Sequence, residues 1–146
     1  MIKVIDIFAG PGGLGEGFSS FRSSRADRRF ELAVSIEKDP LAHRTLRLRA
    51  FVRQFDGRRL PKSYYEHLRE EISWEQLADG FPVEAAHASR EAVCLTLGPG
   101  TVCDGRGHIS AAIKKTENWV LIGGPHVNYG KRRTPRPVHQ GLRICR

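Results

Sequence analysis

The apolar run Ile2-Lys3-Val4-Ile5 leads directly into Asp6-Ile7-Phe8-Ala9-Gly10-Pro11-Gly12-Gly13-Leu14. That order reads as a strand, a glycine-rich turn and a helix that starts near Gly12. Glycine has no Cβ, so it takes positive φ in a tight turn and lets a ligand come close to the backbone. The helix behind the turn presents unpaired N–H groups at its first turn, which favour polar or anionic ligand groups. By spacing alone, the run fits both a nucleotide-type cofactor site and a plain tight turn of an α/β protein.

The rest of the chain alternates in the same way. Residues 2–8 form the first expected strand. A helix follows over residues 13–23, with Leu14, Phe18 and Phe21 on one face. Residues 30–36 are a second strand. Asp39-Pro40 is a helix start, because Asp caps free amides and Pro suits the first helical position. That helix runs to about residue 55, with Leu41, Thr45, Leu48 and Val52 along one stripe, and Asp56-Gly57 closes it. Residues 60–105 read as short helices without strands, over 63–71, 73–79 and 82–97. Ser73 with Gln76 makes a capping-box pattern within that stretch. Gly98-Pro99-Gly100 ends the block. Residues 104–116 read as an amphipathic helix, with Ile109 and Ile113 in register. Residues 119–122 are four consecutive apolar residues, the pattern of a buried parallel strand.

Alternating strands and helices imply a parallel sheet with helices on both faces, a partial Rossmann-like doubly wound α/β fold with a helical insertion. Ligands of such sheets bind beyond the carboxyl ends of the strands, near the topological switch point. Glu37 lies at the second such end, about twenty residues past the glycines, where a carboxylate can accept hydrogen bonds from both ribose hydroxyls. The plainer role for Glu37 is a helix-start acid favoured by the helix dipole.

A chain of 146 residues is long enough for one core. No run is long or apolar enough to span a bilayer, and Met1 leads into a strand without a secretory signal. Three cysteines without paired metal-type spacing argue against a disulfide framework and a zinc site. Cys94 reads as a small buried hydrophobe on a helix. A cytoplasmic protein without metal or membrane attachment is expected. The net charge of +8 suits a polyanion partner. Part of that charge sits after Pro125, where Lys131, Arg132, Arg133, Arg136, Arg143 and Arg146 meet no acid. Arg44, Arg47, Arg49 and Arg53 cluster on one helix, as either a solvated face or phosphate contacts. Residues 126–146 lack periodicity and read as a basic, disordered tail.

Three stretches resemble the DNA (cytosine-5)-methyltransferases. The run from Asp6 to Leu14, followed by Gly17-Phe18, resembles the family's first motif. The strand ending in Glu37-Lys38-Asp39 resembles its second. Asn118-Trp119-Val120-Leu121-Ile122-Gly123-Gly124-Pro125 resembles the strand that leads into its catalytic loop. The resemblance covers residues 1–125, and the helical stretch 60–105 resembles an insertion in one bacterial branch. It implies S-adenosylmethionine as cofactor and DNA as partner. Cofactor contacts are then expected from Phe8, Ala9, Gly10, Pro11, Gly12, Gly13, Leu14, Glu37, Lys38 and Pro125. Phe8 would pack against the adenosyl group and Lys38 would lie over the adenine. Asp104 is a candidate acceptor for the adenine amino group, although the strand that should precede it is not distinct.

The chain departs from the family after Pro125. The family continues with proline, cysteine and glutamine, and the cysteine is its nucleophile. Here His126-Val127-Asn128 follows, so Val127 takes the nucleophile's place and no catalytic residue is assigned. A valine has no ionisable thiol to attack cytosine. Pro-Cys-Gln written CCA TGT CAA gives His-Val-Asn when read one base later, which points to a frameshift inside the catalytic motif. A divergent member with a substituted loop is the other reading. The expected function is thus an inactive fragment carrying the cofactor half of a methyltransferase. The alternative is a non-catalytic subunit that serves a complementary methyltransferase chain. In either case residues 119–122 should be the most exposed apolar segment, since their family neighbours lie beyond the break.

Overall fold

The computed structural model describes residues 1–23, 27–55, 57–113 and 118–124. Within them the chain runs β1 (Ile2–Ile7), α1 (Gly13–Ser20), β2 (Phe30–Glu37), α2 (Pro40–Arg53), α3 (Lys62–Leu68), α4 (Trp74–Gly80), α5 (Pro82–Glu91), β3 (Ala92–Cys94), α6 (Val102–Ala112) and β4 (Trp119–Gly123). The strands form one parallel sheet in the order β3-β2-β1-β4. This is an α/β, Rossmann-like sheet. The order reverses at β1, with β2 on one side and β4 on the other. Pro125, Val127 and the whole segment 125–146 lie outside the described residues, and so does Asp56.

Alternation along β1 assigns the two faces of the sheet. Ile5 and Ile7 point to a core shared with Val34, Ile36 and Val93, covered by Ile109, Ala112 and Ile113 at the end of α6. Val4 and Asp6 point the other way, toward α1, where Gly15 lies against Leu32 and Asp6. Phe18 of α1 packs edge-on against Phe30 at 5.1 Å. Leu14 and Phe21, expected on the same face as Phe18, are about half exposed.

The expected helix over 82–97 is split. α5 ends at Glu91 and Ala92–Cys94 forms β3, the edge strand beside β2. Residues 60–105 therefore contain a strand, and Cys94 sits on it, exposed, not buried on a helix. A three-residue strand is too short to show period-2 alternation. Its place is set by pairing, since Ser35, Ile36 and Glu37 align with Ala92, Val93 and Cys94.

A second core belongs to the helices between β2 and β3. Ala50, Phe51, Phe55, Leu77, Ala85 and Ala88 form it, with Trp74 and Phe81 packed alongside. Phe51 meets Trp74 edge-on at 5.8 Å and Phe81 at 6.1 Å. The buried face of α2 is thus Leu46, Ala50 and Phe51, not the expected stripe. Leu41 is 73% exposed, and Leu48 and Val52 line a groove toward α3. An apolar pattern marks several faces of a helix packed on two sides, and only the neighbours decide which one closes. Both predicted caps are present. Asp39 accepts from the amides of Leu41 and Ala42 at 2.8 and 2.9 Å, and Ser73 with Gln76 completes a capping box.

Two of the four clustered arginines have structural work. Arg47 stacks over the Trp74 ring at 4.2 Å. Arg53 bridges Glu16 of α1 and Glu91 of α5 from a largely buried position. Burial pushes the Glu91 carboxyl up from its ordinary range, and Arg53 opposes that shift. Removing one partner of a buried pair leaves an uncompensated charge, typically a loss of about 3–5 kcal/mol. Arg53→Met should therefore lower unfolding stability by roughly 3 kcal/mol. Adding Glu91→Gln to it should recover a good part of the loss. Urea unfolding of both variants checks this, and an additive double variant would mean that the bridge carries no coupling.

Candidate functional site

The carboxyl ends of β1 and β2 come together at the point where the strand order reverses, the position at which open parallel sheets bind ligands. β1 ends at Ile7, and the chain turns sharply through Phe8, Gly10 and Gly12, all at positive φ (58°, 57° and 88°). Positive φ is strained for a residue with a bulky side chain. The turn is held by its backbone, with the Ala9 amide on Ile36 O at 3.1 Å and the Gly12 amide on Ala9 O at 3.0 Å.

Glu37 ties this turn to the second strand. Its carboxylate accepts from the Gly10 amide at 2.7 Å, and from the Lys38 and Asp39 amides at 2.8 Å each. The Gly10 bond spans 27 residues of sequence. Glu37 therefore does more than start a helix, because Asp39 is the side-chain cap of α2. A carboxylate has roughly four acceptor sites, so about one is left for a ligand.

The glycines differ in what they permit. Gly12 is the N-cap of α1, and a Cβ there would lie 2.8 Å from Leu46 of α2. Gly12 thus serves packing as well as the turn. Gly10 and Gly13 face open space, where a Cβ would meet nothing within 4 Å. No side chain caps α1, and the first amides of a helix have no partner within it. Phe8 (47% exposed), Leu14 (48%) and Leu41 (73%) give the same end of the sheet an apolar rim. Ala9 is half-buried within the turn, while Pro11 and the Lys38 side chain are exposed. The arrangement can hold a ligand that joins an apolar or aromatic portion to a polar group needing amide donors and one carboxylate acceptor.

Asp104 stands apart. It is exposed in the first turn of α6, beyond the loop 95–101 that follows β3, and makes no hydrogen bond to the glycine turn. Thr101 fastens that loop through the Gly98 amide at 3.0 Å. Pro125 is outside the described residues. The larger cavity, about 400 Å³, lies at the opposite, amino ends of the strands, against Lys3, Glu31, Arg53 and Glu91. Among the described residues no cluster of His, Cys, Asp and Glu could hold a metal ion, and no helix is long and apolar enough to cross a membrane.

Two residues of the site were not assigned from sequence. Gly123, at the end of β4, lies so close to β1 that a Cβ would sit 2.5 Å from Ile7 O. The paired glycines after an apolar strand are its sequence signal. Asp6 is fully buried beneath the turn, and neither carboxyl oxygen has a hydrogen-bond partner. Burial pushes its pKa up to about 6; the Gly15 amide that faces it pulls the other way without reaching full hydrogen-bond geometry, and Glu37 adds repulsion. An acid inside an apolar run carries no signal of its own burial.

Compared with known proteins, the chain matches no protein-family model, no curated protein and no solved structure.

The buried acid has a consequence for stability. Asp6 titrates at about 6 in the folded chain against an ordinary 3.8, so the folded state holds its proton more tightly than the unfolded state does. Its contribution therefore falls as pH rises from about 4 to about 6 and stays low above that, by about 2–3 kcal/mol in all. Asp6→Asn should abolish that component. Unfolding free energies of wild type and variant at pH 4.5 and 7.0 measure it. A difference between the two proteins that is the same at both pH values would refute it.

Proposed function

We propose that this chain is the S-adenosylmethionine-binding half of a DNA (cytosine-5)-methyltransferase and does not transfer methyl groups by itself. The observation that carries the reading is the Glu37–Gly10 bond. It joins the two resembling motifs, the glycine turn and the acidic strand end, at the switch point of a parallel sheet. The remaining acceptor capacity of Glu37 suits a ribose hydroxyl, and the half-exposed Phe8 suits an adenosyl face. Gly13 supports the reading too, because no packing contact among the described residues requires a glycine there. On this reading Lys38, exposed at the end of β2, would lie across the adenine, and Asp104, exposed in the first turn of α6, remains the candidate acceptor for the adenine amino group.

Calorimetric titration with S-adenosylmethionine tests the reading. Hydrogen bonds to a charged group contribute about 1.5–3 kcal/mol each. Glu37→Ala should weaken binding at least roughly tenfold, since it removes the ligand's acceptor and frees the Gly10 amide. Glu37→Gln, which keeps one acceptor oxygen, should fall between the two. Equal affinity in all three proteins would remove Glu37 from the site.

Catalysis is a separate matter. The family's reaction opens with a thiolate adding to the base, and the target base must first leave the helix stack. Val127 supplies no thiolate. Incubation with labelled cofactor and mixed-sequence DNA should leave the DNA unlabelled, and incorporation above a no-protein control would contradict the assignment of Val127.

A second reading, a non-catalytic subunit completed by a complementary methyltransferase chain, draws on β4. Among the described residues β4 is an edge strand, and Trp119 and Leu121 are about half exposed. An apolar strand with an open edge favours pairing with another strand.

A further inference from the structure

Asp6 occupies an unusual place for an acid. It is fully buried on β1, and its register partner on β2 is Ser35, which is also fully buried. The Ser35 hydroxyl and both Asp6 oxygens lack hydrogen-bond partners. Gly15 of α1 closes over them, so tightly that a Cβ there would lie 3.2 Å from Asp6 Oδ2. A buried polar group without a partner is destabilising and calls for a reason.

Among the described residues no cation neutralises Asp6. Glu37 on β2 repels it. Lys3, further back on β1, is engaged by Glu31, and Glu16 of α1 is engaged by Arg53. From α2, Arg49 reaches toward Gly12, and His43 hydrogen-bonds Ala92 O at 3.1 Å. β4 brings no titratable side chain. Asp6 is thus a latent negative charge behind the glycine turn, in a region where fields are weakly screened.

We infer that Asp6 sets the specificity of the turn, its buried carboxylate acting as the counter-charge that favours a cationic sulfonium ligand over the matching neutral thioether. The inference rests on the cofactor reading above and deepens it. Donor and product of methyl transfer share adenosine, ribose and amino-acid portions and differ by one methyl group and one positive charge. Hydrogen bonds and ring contacts to the shared portions are common to the two ligands. A buried negative charge behind the turn adds an attraction that only the cation feels. Asp6 supplies it only when ionised, so the preference grows as pH rises through about 6. By linkage, the cationic ligand displaces a fraction of a proton on binding and the thioether does not.

The test is calorimetric titration of the full chain with S-adenosylmethionine and with S-adenosylhomocysteine at pH 5.5 and pH 7.0. The ratio of the two affinities should shift toward the sulfonium ligand by roughly two- to fourfold between these pH values. In Asp6→Asn the ratio should no longer depend on pH, while thioether affinity is retained. If both ligands bind wild type with a pH-independent ratio, this inference fails and the cofactor reading stands. If the shift persists in Asp6→Asn, it belongs to another group such as His43, and the inference fails. Binding of neither ligand overturns the cofactor reading and the inference together. The wild-type ratio alone decides the matter should the variant not fold.

Discussion

Everything at the carboxyl end of this sheet depends on the three amide bonds that Glu37 accepts. One comes from the glycine turn after β1 and two come from the start of α2. A charged acceptor roughly doubles the strength of such bonds, so one side chain holds two loops in register. The price is borne by Asp6, whose carboxyl lies close enough to feel the Glu37 charge while buried without a partner. Order in the turn and strain beneath it are therefore two sides of one electrostatic arrangement.

The helices between β2 and β3 support that arrangement from behind. α2 packs in two directions. Leu46 presses toward Gly12 of the turn, while Ala50 and Phe51 face the helical insertion. Arg53 then links α1, α2 and α5 through Glu16 and Glu91. The insertion is thus coupled to the site by packing and by a buried ion pair, although it contributes no group to the glycine turn. Its aromatic cluster gives α2 a fixed axis, and the fixed axis places the Asp39 cap and the Glu37 amides where the turn needs them.

Much of the site was legible in the chain. The glycines and Glu37 follow from the spacing of a strand, a turn, a helix and an acid at the next strand end, and Phe8 was singled out by the family resemblance. The caps at Asp39 and Ser73 follow from local side-chain chemistry, which works within a few residues. What failed was what depends on distant neighbours. β3 is three residues long and exists because β2 offers it a partner. Of the stripe from Leu41 to Val52, Leu48 and Val52 line a groove and Leu41 is exposed, while Phe51 joins the larger cluster. Trp119 and Leu121 carry the pattern of a buried strand, and each is about half exposed at a sheet edge of the described residues, in line with the exposure expected of residues 119–122.

The sequence by itself determined the alternation of most strands and helices, the sharp turn after β1 and the helix starts. These rest on backbone conformational limits and on short-range hydrogen bonding, which a few adjacent residues specify. The Glu37–Gly10 bond that closes the turn spans 27 residues and belongs to the tertiary structure. Tertiary structure alone decided that Gly12 packs on Leu46, that Gly123 lies against Ile7, that Arg53 is a bridge and not a surface charge, and that Asp6 is sealed beneath the turn without a partner. Burial and charge environment are sums over residues far apart in the chain, so no local pattern encodes them.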